Sequence, residues 1–173
     1  MRRHPLIAIL LGAWMAACAP AFDWRTVHAA DGSVEMQFPC KPTSRIRSVA
    51  LGDESVPMTL LSCTAQGLTF GLVHADLDDP ARVTPALIAL RAALAANLGA
   101  REVKAGPFAL AGSTPNGHAV RVRFSGRTPE GAPIEEEAAF FARGMRVYQA
   151  AVLGAHLDPQ VVDVFFDNLR LDA

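Results

Sequence analysis

Alternation of apolar and polar residues over successive short segments is the feature that most limits how this chain can fold. Val34, Met36 and Phe38 fall on one face of an extended segment, and polar residues fall between them. Similar strands are predicted at 24–28, 44–51, 56–64 and 68–77, and later at 101–111, 117–126, 133–142 and 145–153. Because turn signals such as Asp31-Gly32 join many of these segments, the sequence predicts hairpins and a largely antiparallel sheet.

Two segments have the period of a helix instead. Residues 84–98 begin with Thr84 as N-cap and Pro85 at the first helical position, carry leucines three or four residues apart, and end before Gly99. Residues 159–169 follow Asp158 and repeat valine and phenylalanine at helical spacing. The order strands, helix, strands, helix predicts one α+β domain over 22–173, with two helices packed on a largely antiparallel sheet.

The first residues have the layout of an export signal. A basic start with Arg2 and Arg3 is followed by the apolar segment 6–17 and then by Cys18. The apolar segment is shorter than the roughly 20 residues that a spanning helix needs. The sequence therefore predicts a signal peptide at 1–17, a tether at 18–21, and delivery of the chain beyond the inner membrane.

Cys18 is the predicted site of lipidation. The residues Met15-Ala16-Ala17-Cys18 resemble the lipobox of bacterial lipoproteins, although that family usually has leucine where this chain has Met15. The resemblance implies a lipid anchor on Cys18, and Ala19 in place of aspartate implies sorting to the outer membrane. The alternative is an ordinary signal peptide cut near Cys18, which would leave a soluble periplasmic protein.

The charge of the chain argues against nucleic acid as a partner. Cleavage after residue 17 would remove Arg2 and Arg3 from the 16 basic residues and none of the 17 acidic ones, leaving a net charge of -3. Proteins that bind nucleic acid present a basic patch to the phosphates. The partners expected are the membrane, through the lipid anchor, and a protein of the envelope.

The chain has 3 cysteines: Cys18, Cys40 and Cys63. If Cys18 is lipidated, the other two form a pair that an oxidising compartment can keep as a disulfide. A hairpin between 44–51 and 56–64, centred near residues 53–54, would bring Cys63 opposite Ser44 and close to Cys40. The alternative is two separate reduced cysteines that pack as small apolar side chains.

Several stretches together resemble a known family. They are "DGSVEMQFPCKP", "RVYQAAVLG" and the closing "DPQVVDVFFDNLRL". In this order they are similar to bacterial lipoproteins with the PsbP-like (Mog-type) α/β/α sandwich. The resemblance implies the fold of the mature chain but no function, because these proteins share a sheet and not a site. The Cys40/Cys63 pair is a departure that the family pattern does not require.

No motif of known chemistry occurs in the sequence, so no catalytic residue, metal ligand or cofactor is predicted. His74 and Asp76 share a strand face near the acidic residues 78–79, but a solvated connection before a helix explains that stretch better than a metal site. Arg121 and Arg123 can pair with Glu137 and Glu135 across a hairpin. Ordinary cross-strand ion pairs explain these four residues better than catalysis does.

Two classes of function remain. The first is a non-catalytic binding or accessory module of the envelope, which binds a protein or a small apolar ligand through a sheet face or the groove between helix and sheet. The second is an envelope enzyme whose site includes His74 and Asp76, or the Arg121, Arg123, Glu135 and Glu137 group. Convergence of these polar side chains in a concave pocket would favour the enzyme.

Overall fold

A computed structural model of the chain describes residues 22–51 and 54–171. The strands are β1 (Arg25–Ala29), β2 (Val34–Phe38), β3 (Thr43–Leu51), β4 (Glu54–Ala65), β5 (Leu68–Asp76), β6 (Arg101–Pro107), β7 (Val120–Arg127), β8 (Pro133–Arg143), β9 (Arg146–Gly154) and β10 (Arg170–Leu171). The helices are α1 (Val83–Asn97) and α2 (Pro159–Asp167), and a 3-10 turn at Pro80–Arg82 precedes α1. The predicted signal peptide 1–17, the lipidation site Cys18 and the tether 18–21 lie outside the described residues.

The strands form two sheets. Seven of them pair in the order β3-β4-β5-β9-β8-β7-β6, and β1, β2 and β10 form a separate three-stranded sheet. Every neighbouring pair is antiparallel, which confirms the predicted α+β class. The division into two sheets was not predicted. The two-residue strand β10 was not predicted either, because so short a strand has no readable alternation. Strand β6 ends at Pro107 rather than at the predicted residue 111, since proline has no N–H for a ladder.

The large sheet carries an apolar core on each face, and β8 contributes to both. Ala138, Phe140 and Ala142 are buried in the core that contains α1. Ala139 and Phe141 are buried in the core that contains α2 and the small sheet. The two helices therefore pack on opposite faces of the large sheet. None of the helices in the described ranges is long and apolar enough to cross a bilayer.

One of the predicted helix caps is present and the other is not. Asp158 accepts a hydrogen bond from the Gln160 backbone N–H at 2.9 Å, as predicted for the start of α2. Thr84 does not cap α1, which begins one residue before it, and instead accepts a hydrogen bond from the Asn116 side chain at 2.8 Å. The cap lies upstream at Asp79, whose carboxylate accepts from the 3-10 turn. Asp79 is followed by proline, the same signal that Asp158 gives.

The structure joins Cys40 and Cys63 by a disulfide, with 6.0 Å between their Cα atoms. The predicted register of the β3–β4 hairpin was wrong by two residues, because Ser44 lies opposite Leu61 and not opposite Cys63. Leu51 pairs with Glu54, so only two residues separate the strands where a longer turn was expected. Cys63 consequently lies just past the paired end of β3, beside the turn that contains Cys40.

Removal of this disulfide is predicted to lower the stability of the domain. In the chain-entropy model, a loop with the observed sequence separation of 23 contributes about 3 kcal/mol to the free energy of unfolding. We expect Cys40→Ala, Cys63→Ala and the double variant to lose similar amounts in urea denaturation, since any of them opens the loop. A double variant that loses the sum of the two single losses would show that the cysteines act separately.

Candidate functional site

The predicted ion pairs between β7 and β8 are present. Arg121 donates to Glu137 at 2.6 Å, and Arg123 donates to Glu135 at 2.9 Å. Both hydrogen bonds are diagonal, because the register places Arg123 directly opposite Glu137. All four side chains are largely buried, with 15–28% of their surface exposed, and lie on the sheet face that carries α2.

Helix α2 covers part of this face and joins the same network. Asp163 of α2 accepts a hydrogen bond from Arg121 at 2.9 Å, and the Arg121 guanidinium lies 4.3 Å from the centre of the Phe166 ring. The Leu157 backbone N–H donates to Glu135 at 3.2 Å. The polar cluster therefore fixes the position of α2 on the sheet.

A concave space of about 420 Å³, here named the α2 cleft, lies beside this network and is lined by Lys104, Arg121, Arg123, Glu137 and Asp163 together with apolar residues. The surface is thus not the flat, open face that would remove these residues from consideration. Burial acts to raise the pKa of Glu135, but hydrogen bonds from Arg123 and from the Leu157 amide lower it below its usual value. A carboxyl with a lowered pKa is a poor proton donor or acceptor near neutral pH. Glu135 is therefore a paired charge beside the α2 cleft and not a tuned acid–base group.

His74 and Asp76 belong to a different cluster, around Arg146 of β9. Arg146 forms a bidentate pair with Asp76, with its second hydrogen bond at 2.9 Å, and donates to the Ala30 carbonyl at 2.7 Å. The hydrogen bonding between Arg146 and Asp76 lowers the pKa of Asp76 and raises the pKa of Arg146. Burial, followed by the charge of Arg146, lowers the pKa of His74, so this histidine is neutral at pH 7.

The Arg146 cluster attaches the small sheet to the large one. Ala30 lies in the turn between β1 and β2, and the hydroxyls of Ser33 and Tyr148 are 3.2 Å apart in the same place.

Among residues 22–51 and 54–171, no group of three or more histidine, cysteine, aspartate or glutamate side chains could hold a metal ion. Asp78 pairs with Arg82 at 2.6 Å, four residues later, as expected of an acidic connection before a helix.

An apolar groove lies on the other face of the large sheet, between α1 and the β3–β4 hairpin. This α1 groove has a volume of about 180 Å³. Its walls include Val49, Met58, Leu60, Val73, Leu90 and Leu94, and Arg47 is the one charged residue among the described residues that line it. Residues of β3, β4, β5 and β9 form the sheet side of the groove, and residues of α1 form its other side.

Strand β3 forms one edge of the large sheet, next to the α1 groove. It pairs with β4 alone, and all of its residues except Leu51 are exposed. Ile46 has 71% of its surface exposed, an unusual value for an isoleucine in a strand. Within the described part of the chain, Arg45 and Arg47 form no ion pair.

Glu136 is a buried acidic residue that was not singled out from the sequence. It lies on the α1 face of β8, opposite Phe124 and Leu153, and only 6% of its surface is exposed. Burial raises its pKa to about 7. Alternation along β8 could have identified it, because Glu136 occupies the same face as Ala138 and Phe140.

Two comparisons with known proteins give no match, so a function has to be inferred from the geometry of the described residues. The chain matches no protein-family model, and a search of curated proteins also gives no match. The resemblance to PsbP-like lipoproteins therefore stays a prediction from sequence. The clusters around Arg121 and Arg146 connect elements of the fold, whereas the α1 groove and the β3 edge have apolar surface and backbone groups without a partner in residues 22–51 and 54–171.

Replacement of Glu136 by glutamine is predicted to change how stability depends on pH. The pKa of the carboxyl is near 4.5 in the unfolded chain and about 7 in the folded one, so the folded state loses stability as the pH rises between these values. The loss amounts to about 3 kcal/mol and is complete above the folded pKa. Glu136→Gln should therefore be more stable than the wild type at pH 8 by about this amount, and the difference should disappear near pH 4.

Urea denaturation across this pH range measures the difference between the two proteins, which cancels the titration of His74 and of the paired acids. Glu130→Gln, at an exposed position in the turn before β8, is the matched control and should leave the pH profile unchanged. Parallel profiles of unfolding free energy against pH for the wild type and Glu136→Gln would show that folding does not raise the pKa of Glu136.

Replacement of Arg146 by methionine is predicted to lower the free energy of unfolding by about 2 kcal/mol, since it leaves Asp76 and the Ala30 carbonyl without their donor. Asp76→Asn should cost less, because it leaves the hydrogen bond to Ala30 in place. Arg101→Met, on the exposed edge strand β6, is the control and should stay within about 0.5 kcal/mol of the wild type. Equal losses from Arg146→Met and Arg101→Met in urea denaturation would contradict the structural role of Arg146.

Proposed function

We propose that this chain is an exported binding module of the bacterial envelope, anchored by a lipid on Cys18, and that it binds a protein partner through the β3 edge and the α1 groove. The Cys40–Cys63 disulfide supports export, because such bonds persist in oxidising compartments. Of the 3 cysteines, Cys18 is the one outside this disulfide, as a lipidation site requires. The basic and apolar residues before Cys18 support the same route, with the outer membrane as the favoured destination.

The layer order supports a PsbP-like sandwich as the specific fold. Helix α1 lies on one face of the large sheet, and the small sheet with α2 lies on the other. A fold of this kind is a scaffold for many unrelated functions. The proposal for function therefore depends on the surface and not on the fold.

The observation that carries the proposal is the exposure of β3. An edge strand presents a row of N–H and C=O groups that can pair with another chain, and proteins usually keep such strands short or cover them. Strand β3 is nine residues long and its residues from Thr43 to Ala50 are exposed. An apolar groove directly beside the strand adds a place for side chains of a partner.

The alternatives are less well supported by the same surfaces. As the site of an enzyme, the α2 cleft offers charges that already neutralise one another. As a carrier of a small apolar ligand, the chain offers the α1 groove, whose volume of about 180 Å³ is small. Ligand pockets usually enclose about 300–1,000 Å³. A protein that covers both groove and edge fits the available surface better.

Site-specific crosslinking in the native envelope tests the binding surface. A photoreactive phenylalanine analogue at position 46 should give a defined adduct with one partner protein, because Ile46 projects from the centre of β3. The matched control is position 103, since Val103 is an exposed residue on the opposite edge strand, β6. Adducts of equal yield at both positions, or none from an abundant folded protein, would contradict the proposal.

Labelling with radioactive palmitate tests the anchor. The wild-type protein should incorporate the label and sediment with membranes, and Cys18→Ala should do neither while it retains the Cys40–Cys63 disulfide. A wild-type protein that stays unlabelled and soluble would show that the signal peptide is an ordinary one.

A further inference from the structure

We propose that the partner contributes an extended acidic segment that pairs with β3 and becomes an additional strand of the large sheet. This inference rests on the proposed function and specifies the chemistry of the partner. It follows from three properties of the same surface: its unpaired backbone, its charge and the alternation of its side chains.

The backbone of β3 is suited to strand addition. Its pairing with β4 is regular from Thr43 to Leu51, so its free edge is straight over the same length. The strand contains no proline and no β-bulge, two features that block the edges of sheets. By contrast, the opposite edge strand, β6, has an irregular register between Glu102 and Lys104 and ends in Pro107.

The charge of this edge selects an acidic occupant. Arg45 and Arg47 lie on one face of β3, opposite Leu60 and Met58 of β4, and Lys41 is exposed just before the strand. The described acid nearest in sequence, Glu54, is already paired with Arg82 at 2.7 Å. The edge is therefore locally basic on a chain whose formal net charge is -1. Carboxylates on an added strand would meet the two arginines directly.

The alternation of β3 defines the pattern of the occupant. Side chains of an added strand that lie opposite Arg45 and Arg47 should be acidic, and the one opposite Val49 should be apolar, because it faces the α1 groove. On the other face, the side chain opposite Ile46 should be apolar, since it would cover a residue that is 71% exposed. The expected segment thus has acidic and apolar residues at defined alternate positions.

A second copy of this chain is a less suitable occupant. Antiparallel pairing of β3 with another β3 would place Arg45 and Arg47 of the two copies on one edge, where like charges repel. An anionic membrane surface could attract the same arginines, but it would use no backbone groups. These two occupants give different results in the experiment below.

The experiment uses the full mature protein in nonionic detergent and a fluorescent heptapeptide. The peptide carries glutamate at the positions facing Arg45 and Arg47, leucine facing Val49, valine facing Ile46, and threonine elsewhere. We expect saturable binding that weakens as the salt concentration rises. The double variant Arg45→Glu/Arg47→Glu should bind it about tenfold more weakly and should prefer a peptide with lysine in place of glutamate.

The matched control is Arg101→Glu/Lys104→Glu, the same charge reversal on the exposed strand β6. It should leave the affinity for the acidic peptide unchanged. Equal weakening by both double variants would show that the net charge of the protein, and not the β3 edge, determines binding, and would overturn the proposal.

Methylated peptides test the backbone pairing. N-methylation of one set of alternate residues should abolish binding, because those amides face β3, whereas methylation of the other set should leave it intact. Equal tolerance of both sets would indicate charge attraction alone, as at a membrane surface, and would overturn strand addition. Dimerisation of the protein without peptide would favour a second copy as the occupant of β3 and would count against the acidic segment. This holds whether or not Arg45→Glu/Arg47→Glu abolishes the dimer.

The outcomes of this experiment are distinct from those of the crosslinking experiment. A specific adduct at position 46 together with no peptide binding at millimolar concentration would leave the binding module in place and reject the acidic strand. Absence of both the adduct and peptide binding would reject the proposed function as well.

Discussion

Burial of strand β8 on both faces determines where the other elements of the domain can lie. Five consecutive residues, Ala138 to Ala142, are fully inaccessible to solvent and alternate between the two cores. A strand buried on both sides must be covered by separate elements, so α1 and α2 lie on opposite faces of the sheet. Small alanines beside Phe140 and Phe141 let the helices approach, since a core is filled to nearly crystalline density.

The same arrangement decides which polar groups are available for binding. Where α2 or the turn between β1 and β2 lies against the large sheet, charged side chains pair, as Arg121, Arg123 and Arg146 do. Glu136 shows the cost of a carboxyl without such a pair, because burial alone raises its pKa to about 7. At the β3 edge, residues Thr43 to Ala50 are exposed, and their basic and apolar groups are accessible to a partner.

Much of the fold was predictable from local patterns, because strand alternation and helix periodicity need only neighbouring residues. Residues 34–38 and α2 were predicted closely, and the pairs of Arg121 and Arg123 follow from register across one hairpin. A groove between helix and sheet was named as a binding surface, but its lining residues were not. The separate small sheet and the contacts of Arg146 with Ala30 were not predicted, because each depends on residues far apart in sequence. Thr84 was misassigned for a different reason, since an earlier cap at Asp79 competes with it.

In the described part of the chain, β3 is an open edge of a domain whose two cores meet at β8. Amide hydrogen exchange of the purified protein distinguishes these two regions, because exchange reports local opening and edge exposure residue by residue. We expect β8 and β9 to exchange only through global unfolding, while alternate amides of β3, those facing away from β4, exchange nearly as fast as in an unfolded chain. Uniform protection of all β3 amides would mean that the edge is already covered, and would rule out an open edge at β3.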